Sequence, residues 1–392
     1  MKRSDNPFLR VLRREAERMT SRRLYFGVCI VLPLFCAVFM NTIFGDGMME
    51  RIPVGIVDLD ETATSRSIAR AVAALPTTRV TQRFADAPAA RQALRSKRIY
   101  AYVTIPRDFE SDLLGGRPAV LPYYYHYALL SVGTEIHAAL ESLLATAGAA
   151  PLAEAGEAVG TSEARMESIL LPVAMQAHPI GNPALDYAVY LSDPFFFVLL
   201  QVLVLLVTAY ALGSEIKFGT AREWLAAADG NIFVAVTAKL LPYTAIFVAM
   251  GLLGNYLAFG PGHIPHGAGF LALDLYAALF IVATQALGVL LFALFPVLSL
   301  AISVVSMTGS LGATLAGITF PVENMYRPVY LLSFLFPIRH FALIDRTLLY
   351  GGGGFADCWP HVAALLLFPA AALLPLVHLK RAVLSGRYER IE

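Results

Sequence analysis

Charged residues and cysteines are scarce in this sequence. Asp, Glu, Lys and Arg make up 15% of its 392 residues and hydrophobic residues make up 57%, whereas soluble domains carry about 25% charged residues. We therefore expect much of the chain to face lipid. The three cysteines, Cys29, Cys36 and Cys358, are too few for a disulfide framework. A domain formed by residues 45–193, which contain no cysteine, has to fold without a disulfide.

The sequence also lacks the short motifs that carry catalysis. It has no G-x-x-x-x-G-K-[ST] phosphate loop, since the glycines at 351–354 are not followed by Lys and Ser or Thr. It has no H-E-x-x-H, and His126, His137 and His178 lack the spacing of metal ligands. No G-x-S-x-G elbow supports a hydrolase. We predict that the chain is not an enzyme, that it binds no cofactor or metal directly, and that a partner supplies its energy.

Six apolar runs are each long enough to cross about 30 Å of hydrocarbon. They cover residues 24–44, 194–212, 232–259, 270–295, 298–320 and 360–379. The first run is too long for a signal peptide and lacks an A-x-A cleavage site. Basic residues lie before the first run and in the 380–392 tail, so the positive-inside rule predicts that both termini are cytoplasmic. The predicted fold is a polytopic α-helical membrane protein with six transmembrane helices.

Residues 1–23 combine eight Lys and Arg residues with apolar residues at helical spacing. This pattern predicts an amphipathic helix that lies on an anionic membrane surface, with the arginines on the side away from the lipid. A solvated basic tail is the alternative interpretation.

Residues 45–193, between the first two runs, have a different pattern. Strand-like segments alternate with helical ones, which is typical of a mixed α/β domain. The predicted strands are 53–58, 79–84, 99–105 and 119–125, and the predicted helices are 64–75, 88–97 and 107–114. Residues 131–171 are expected to be mostly helical. With a cytoplasmic amino terminus, this domain is extracytoplasmic.

Residues 213–242 interrupt the apolar runs with a polar segment, GSEIKFGTAREWLAAADGNIFVAVTAKLLP. Its charges are spaced so that residues 214–231 can still form a helix, which we interpret as a lever that a partner pushes. Lys239 lies about two turns from the inner end of the third run, so we expect it to snorkel to the interface. Gln201 and Gln285, which lie within the runs, are expected to form hydrogen bonds between helices, and the alternative is that they line a polar path.

Residues 321–354 form a second unusual segment. Pro321, Pro328 and Pro337 break an apolar stretch into pieces, 330–336 and 340–349, that are too short to span a membrane. Non-helical backbone at membrane depth is tolerated where protein buries it or where it lines a cavity. We predict re-entrant or interfacial helices that cap the outer mouth of the bundle.

Several of these segments together resemble a known family. Residues 215–225 fit E-x-x-x-G-T with a following Leu, 239–243 read KLLPY, and 337–346 run from a proline to an arginine. Residues 317–325 fit G-x-x-F-P-x-x-x-M, although Tyr326 stands where a proline often follows. Residues 54–60 (VGIVDLD) and 105–109 (IPRDF) lie in the inserted domain. The chain is similar to ABC-2 permeases (type V exporters), in the subgroup with a large extracytoplasmic domain.

This resemblance implies a pore of two permease subunits, identical or different, each engaged by an ABC ATPase subunit that binds ATP. The 1–23 helix would be a connecting helix and 214–231 a coupling helix. The implied ATPase-coupling residues are Glu215, Lys217, Gly219, Thr220, Arg222, Glu223 and Trp224. The implied outer-gate residues are Pro321, Glu323, Met325, Pro337, Arg339 and Arg346.

The resemblance further implies a bacterial inner-membrane exporter of a drug, lipid or glycan-like substrate. Membrane lipids and a periplasmic adaptor (membrane-fusion) protein are further implied partners, and nucleic acid is not. The alternative is a membrane-anchored envelope sensor or assembly scaffold whose external domain binds a ligand or a partner.

Overall fold

The computed structural model describes residues 6–43, 50–115, 117, 119–126, 132–143, 188–260, 269–349 and 355–386. The chain forms two compact units. One, here called the membrane unit, consists of Met1–Gly47 and Pro179–Glu392, and the other, here called the sheet unit, is Met48–His178.

The membrane unit contains six helices that are long and apolar enough to cross a membrane. We call them the first to sixth spans: Arg23–Ile43, Tyr190–Lys217, Ile232–Phe259, Phe270–Leu294, Leu298–Leu315 and Phe355–Ser385. The predicted fold class is confirmed. The spans differ from the apolar runs mainly at their ends, because helical hydrogen bonding continues through polar residues that a hydropathy pattern excludes. Residues 214–217 thus belong to the second span, and residues 380–385 of the predicted tail belong to the sixth.

The second span lies at the centre of the bundle and contacts the first, third, fourth and fifth spans. Its contact with the fifth span depends on small residues. A side chain at Gly309 would come within 2.9 Å of Val202, and one at Gly312 within 2.9 Å of Gln201. Close approach of helix backbones at small residues is the usual way in which helices associate in lipid.

An amino-terminal helix, Pro7–Ser21, precedes the first span. Asn6 caps it by accepting a hydrogen bond from the backbone N–H of Phe8 at 3.0 Å. The helix packs against the third span. Two of its arginines, Arg14 and Arg18, turn toward the protein and pair with a buried carboxylate. These two arginines therefore face the protein interior rather than solvent.

The sheet unit has four strands in the order β2-β1-β3-β4. They are β1 (Ile52–Asp58), β2 (Thr78–Phe84), β3 (Ala101–Ile105) and β4 (Tyr123–Tyr125). β1 is parallel to both β2 and β3, and β4 is antiparallel to β3. Helices cover Ala63–Ala74, Ala87–Arg95 and Phe109–Leu114. The predicted α/β domain is confirmed, although β4 is shorter than expected. Residues 132–143 are helical, and the rest of the predicted 131–171 helical segment lies outside the described residues.

Acidic residues of the sheet unit tie its two family-like segments together. Asp60 accepts hydrogen bonds from the backbone N–H groups of Phe109 and Glu110, at 3.0 and 3.1 Å. Asp58 accepts from the backbone N–H of Glu61 at 3.0 Å. The carboxylates after β1 therefore hold the start of the Phe109–Leu114 helix and shape the turn that leads to the next helix.

Candidate functional site

The segment between the second and third spans folds as three pieces. The second span continues to Lys217, a turn follows, and a short helix covers Ala221–Ala227, which we call the linker helix. Gly219 and Gly230 have φ of 68° and 77°, values that end a right-handed helix and favour glycine. Asn231 then caps the third span. The prediction of one helix over 214–231 is therefore wrong in detail.

The linker helix has one buried face and one exposed face. Ala221, Trp224 and Leu225 are buried, and the Trp224 indole N–H donates to the Ala235 carbonyl of the third span at 3.2 Å. Isolated helices of seven residues are unstable in water, so this anchoring holds the helix in place. The exposed face, here called the docking face, consists of Arg222, Glu223 and Ala226.

Glu215 lies inside the protein, next to the linker helix. Its side chain is fully buried and accepts two hydrogen bonds from the Arg14 guanidinium, at 2.8 and 2.9 Å. Lys239 Nζ donates to it at 2.8 Å and Thr220 Oγ1 at 2.5 Å, and Arg18 also pairs with it. Burial lowers the pKa of Arg14, but the hydrogen bond and charge of Glu215 outweigh this and raise it.

A second buried carboxylate, Glu15 of the amino-terminal helix, completes this cluster. It pairs with Lys239 and accepts a hydrogen bond from the Tyr243 hydroxyl at 2.6 Å. Lys239 is fully buried between Glu15 and Glu215. The expectation that Lys239 snorkels to the interface is therefore wrong, because two carboxylates satisfy its charge inside the protein.

We call Arg14, Glu15, Arg18, Glu215 and Lys239 the charge cluster. Its three cations and two carboxylates come from the amino-terminal helix, the second span and the third span. Buried ion pairs add little net stability, but removing one partner from such a pair is strongly destabilising. The cluster therefore ties these three elements together.

Further contacts tie the linker helix to its surroundings. Arg10 Nε donates to the Ala227 carbonyl at 3.1 Å, and the same guanidinium pairs with Asp229. Arg222 Nη2 donates to the Leu384 carbonyl near the end of the sixth span at 3.2 Å. The amino-terminal helix and the sixth span thus both hold the segment that joins the second and third spans.

The residues that the resemblance assigned to coupling fall into two groups. Glu215 and Trp224 are buried, and Thr220 is partly buried. Lys217, Gly219, Arg222 and Glu223 are exposed. The buried residues hold the segment in place, whereas the exposed ones are available to a partner. Hydropathy and spacing could not reveal this division, because Glu15 and Arg14 are some 200 residues from Glu215 in sequence.

The bent pair lies between the fifth and sixth spans. It consists of two helices, Arg327–Ser333 and Pro337–Leu349, that meet at 90°. Each helix begins earlier than predicted because Pro328 and Pro337 lie in the first turn, where a missing N–H costs nothing. Residues 350–354, the end of the predicted segment, lie outside the described residues.

The predicted outer-gate residues differ in exposure. Pro321 and Glu323 are exposed, Met325 and Arg346 are half-buried, and Pro337 and Arg339 are buried. Arg346 donates to the Gly317 carbonyl at 2.6 Å and to the Ile318 carbonyl. It therefore connects the bent pair to the chain that leaves the fifth span.

Polar side chains within the spans form the expected contacts between helices. Gln201 Oε1 accepts a hydrogen bond from the backbone N–H of Ile338 at 3.2 Å, which joins the second span to the bent pair. Gln285 of the fourth span accepts from Thr244 of the third at 2.6 Å. In the described part of the chain, no group of three or more His, Cys, Asp or Glu side chains is arranged to hold a metal ion.

Asp193 of the second span and Asp345 of the bent pair are buried and lie close enough to influence each other electrostatically. Both Asp193 oxygens and Asp345 Oδ2 find no hydrogen-bond donor among the described residues. When both carboxyl groups are ionised they offer only acceptors, and a buried acceptor without a donor is costly.

We expect Asp345→Asn to stabilise the protein, because the amide supplies a donor and removes one buried charge. The free energy of unfolding should rise by about 1 kcal/mol, measured by thermal unfolding in detergent. Asp274→Asn is the matched control and should give no gain, since Asp274 already accepts from Asn255 at 2.9 Å. A lower midpoint for Asp345→Asn than for the parent protein would contradict this account.

Comparisons with known proteins agree with the fold. The sequence profile of the family described as "ABC-2 family transporter protein" matches residues 23–376. The inner membrane transport permease YhhJ of Escherichia coli (strain K12) is 23% identical over 350 residues, which are 87% of this chain and 88% of that protein. The protein of the same name from Shigella flexneri gives the same values. No solved structure matches the chain. Since the profile covers all six spans but the end of the last, the chain belongs to the ABC-2 family of transporter proteins and is a transporter membrane subunit.

Proposed function

We propose that this subunit couples ATP hydrolysis by a separate ABC ATPase to export of a hydrophobic or amphipathic substrate across the bacterial inner membrane. Family membership and the name of the Escherichia coli relative support a transport role in the inner membrane. Drugs, lipids and glycan-like molecules are the candidate substrates. ATP acts through the partner subunit, and this chain binds no cofactor itself.

The linker helix carries this proposal. Its docking face of Arg222, Glu223 and Ala226 is exposed, while Trp224 holds the opposite face against the third span. The linker helix joins two spans and is held by its buried face, so a force applied to its exposed face displaces both spans. Lys217, the last residue of the second span, and Gly219, in the turn that follows, extend the exposed surface. This surface is where the ATPase docks.

The charge cluster would transmit this displacement to neighbouring helices. A displacement of the linker helix moves Glu215, and the ion pairs of Glu215 carry the amino-terminal helix and Lys239 of the third span with it. Breaking those pairs is costly, so the three elements move together rather than separate.

The second span would carry the movement to the bent pair. It has 28 residues and, at about 1.5 Å per residue, is long enough to cross the membrane. Glu215 lies at one end, Asp193, which interacts with Asp345, lies at the other, and Gln201 binds Ile338 between them. A tilt of this one helix therefore acts on both the linker helix and the bent pair, which serves as the outer gate.

In this proposal both termini and the linker helix are cytoplasmic, and the sheet unit is periplasmic. Two permease subunits, identical or different, form the pore, and the sheet unit provides a surface for a periplasmic adaptor protein. Membrane lipids surround the spans.

The test is reconstitution of the subunit in vesicles with its cognate ABC ATPase. ATP-dependent movement of fluorescent lipids or hydrophobic dyes is expected only when both proteins are present, and not when the phosphate-loop lysine of the ATPase is replaced. ATP hydrolysis by the purified subunit alone at a transporter-like rate would overturn the proposal. Ligand-dependent binding of an envelope protein without any ATP-driven transport would favour the sensor hypothesis instead.

A further inference from the structure

Arg339, near the start of the second helix of the bent pair, is a buried cation with no anionic partner among the described residues. It is 2% exposed, and its Nε and Nη1 atoms have no hydrogen-bond partner in the part of the chain that the structure describes. Among the described residues, no carboxylate forms an ion pair with it. Burying a charged guanidinium is costly unless an anion pairs with it. A bound anionic ligand would supply that partner.

The surroundings of Arg339 compensate its charge only in part. Its guanidinium lies 3.7 Å from the ring centre of Phe334 and 5.0 Å from that of Tyr330. Ring faces attract cations, but they leave the N–H donors of the guanidinium unused. The Arg339 side chain therefore lies over Tyr330 and Phe334, which precede its own helix, and its Nε and Nη1 donors remain available to a ligand.

Other features make the same place electropositive. Arg339 lies in the first turn of the 13-residue helix Pro337–Leu349, and the start of a helix carries partial positive charge. His340 and His361 adjoin it, with their Nδ1 atoms 3.4 Å apart, and they supply ring nitrogens for hydrogen bonding rather than positive charge. The carboxylate of Glu323 acts electrostatically on His361, but it is exposed, so solvent and salt screen its charge. The local field thus favours an anion.

We propose that Arg339 binds the anionic headgroup, phosphate or carboxylate, of an amphipathic molecule. A guanidinium offers paired N–H donors that match the oxygens of such groups. The apolar part of the ligand lies along the exposed side of the bent pair, where Leu331 and Leu335 are 60% and 61% exposed. A site that pairs one buried cation with an adjacent apolar surface selects an anionic amphipath over a free anion or a neutral lipid.

Binding can be measured with the subunit purified in a neutral detergent. The probes are dioctanoyl phosphatidylglycerol, which is anionic, dioctanoyl phosphatidylcholine, which is zwitterionic, and inorganic phosphate. We expect the parent protein to bind the anionic lipid about tenfold more tightly than the zwitterionic one, as one charge-assisted contact provides. Inorganic phosphate alone should bind far more weakly.

Arg339→Gln should abolish this preference, and Arg339→Lys, which keeps the charge, should retain most of it. Arg327→Gln, on the exposed start of the neighbouring helix, is the matched control and should leave the preference unchanged. Removing an unpaired buried charge should not impair folding of Arg339→Gln. An unchanged preference in that variant, equal binding of the two lipids, or phosphate binding as tight as lipid binding would each overturn the proposal.

The ligand can be a resident membrane lipid or a transported amphipath, which share this chemistry. Mass spectrometry of lipids extracted from the purified subunit separates the two sources. A resident lipid copurifies in an Arg339-dependent amount, whereas a transported molecule binds only on titration. Neither measurement needs an ATPase, so failure of this proposal and failure of the proposed ATP coupling are independent results.

Discussion

Replacement of Glu215 by alanine is expected to lower the free energy of unfolding by about 3–5 kcal/mol, because it leaves buried cations without their carboxylate. Arg14, Arg18 and Lys239 all pair with this one side chain. Thermal unfolding in detergent measures the effect.

Trp224 provides a local fluorescence signal once Trp359 is changed to Phe, since the chain has only two tryptophans. Its emission should shift to the red as the linker helix loosens.

Further variants test whether the loss of stability in Glu215→Ala comes from the buried charge that it removes. Glu223→Ala removes an exposed carboxylate from the linker helix and should change stability by no more than about 0.5 kcal/mol. Glu215→Gln combined with Lys239→Met removes one charge of each sign and should recover part of the loss of Glu215→Gln alone. Equal stability of Glu215→Ala and the parent protein would show that the cluster does not hold these helices together.

Replacement of Ala226 by arginine is expected to block binding of the ATPase subunit. Ala226 lies on the docking face, between Arg222 and the end of the linker helix, and it is exposed. A long charged side chain there separates the two surfaces without disturbing the core. Copurification of the ATPase should fall by more than about tenfold, which corresponds to about 1.4 kcal/mol of binding free energy. ATP-dependent transport should be lost with it.

Matched controls make this result specific. Ala226→Ser adds one small polar group and should leave ATPase binding intact. Ala73→Arg places the same bulk on an exposed helix position of the sheet unit and should also leave it intact. All three variants should unfold at the temperature of the parent protein, since the changed positions are exposed. Normal ATPase binding by Ala226→Arg would exclude the linker helix as the docking site.

Much of the fold could be predicted because hydropathy and local patterns report it directly. The third span was predicted with the limits that the structure has, Ile232–Phe259. The parallel pairing of β1 with β3 follows from strands that alternate with helices. Where helix limits were missed, hydrogen bonding extended a helix past the apolar run, as at Lys217, or a proline started a helix rather than ended one, as at Pro337.

The candidate site was predictable only in part. Position between two spans pointed to residues 214–231, and the family resemblance pointed to Glu215 as a contact for a partner. The structure instead encloses Glu215, because Arg14 and Arg18 reach it from a helix some 200 residues earlier in the sequence. Lys239 was misjudged for the same reason, since Glu15 lies 224 residues away.

By itself the sequence determined that this protein is a six-span membrane protein with an inserted α/β domain and that its loops carry ABC-2-like segments. Those properties follow from the composition and order of short segments, each of which has its own periodicity. Only the tertiary structure decided which charges are buried and paired, which face of the linker helix is exposed, and that no described carboxylate pairs with Arg339. These properties depend on contacts between residues far apart in the chain, and no local pattern encodes such contacts.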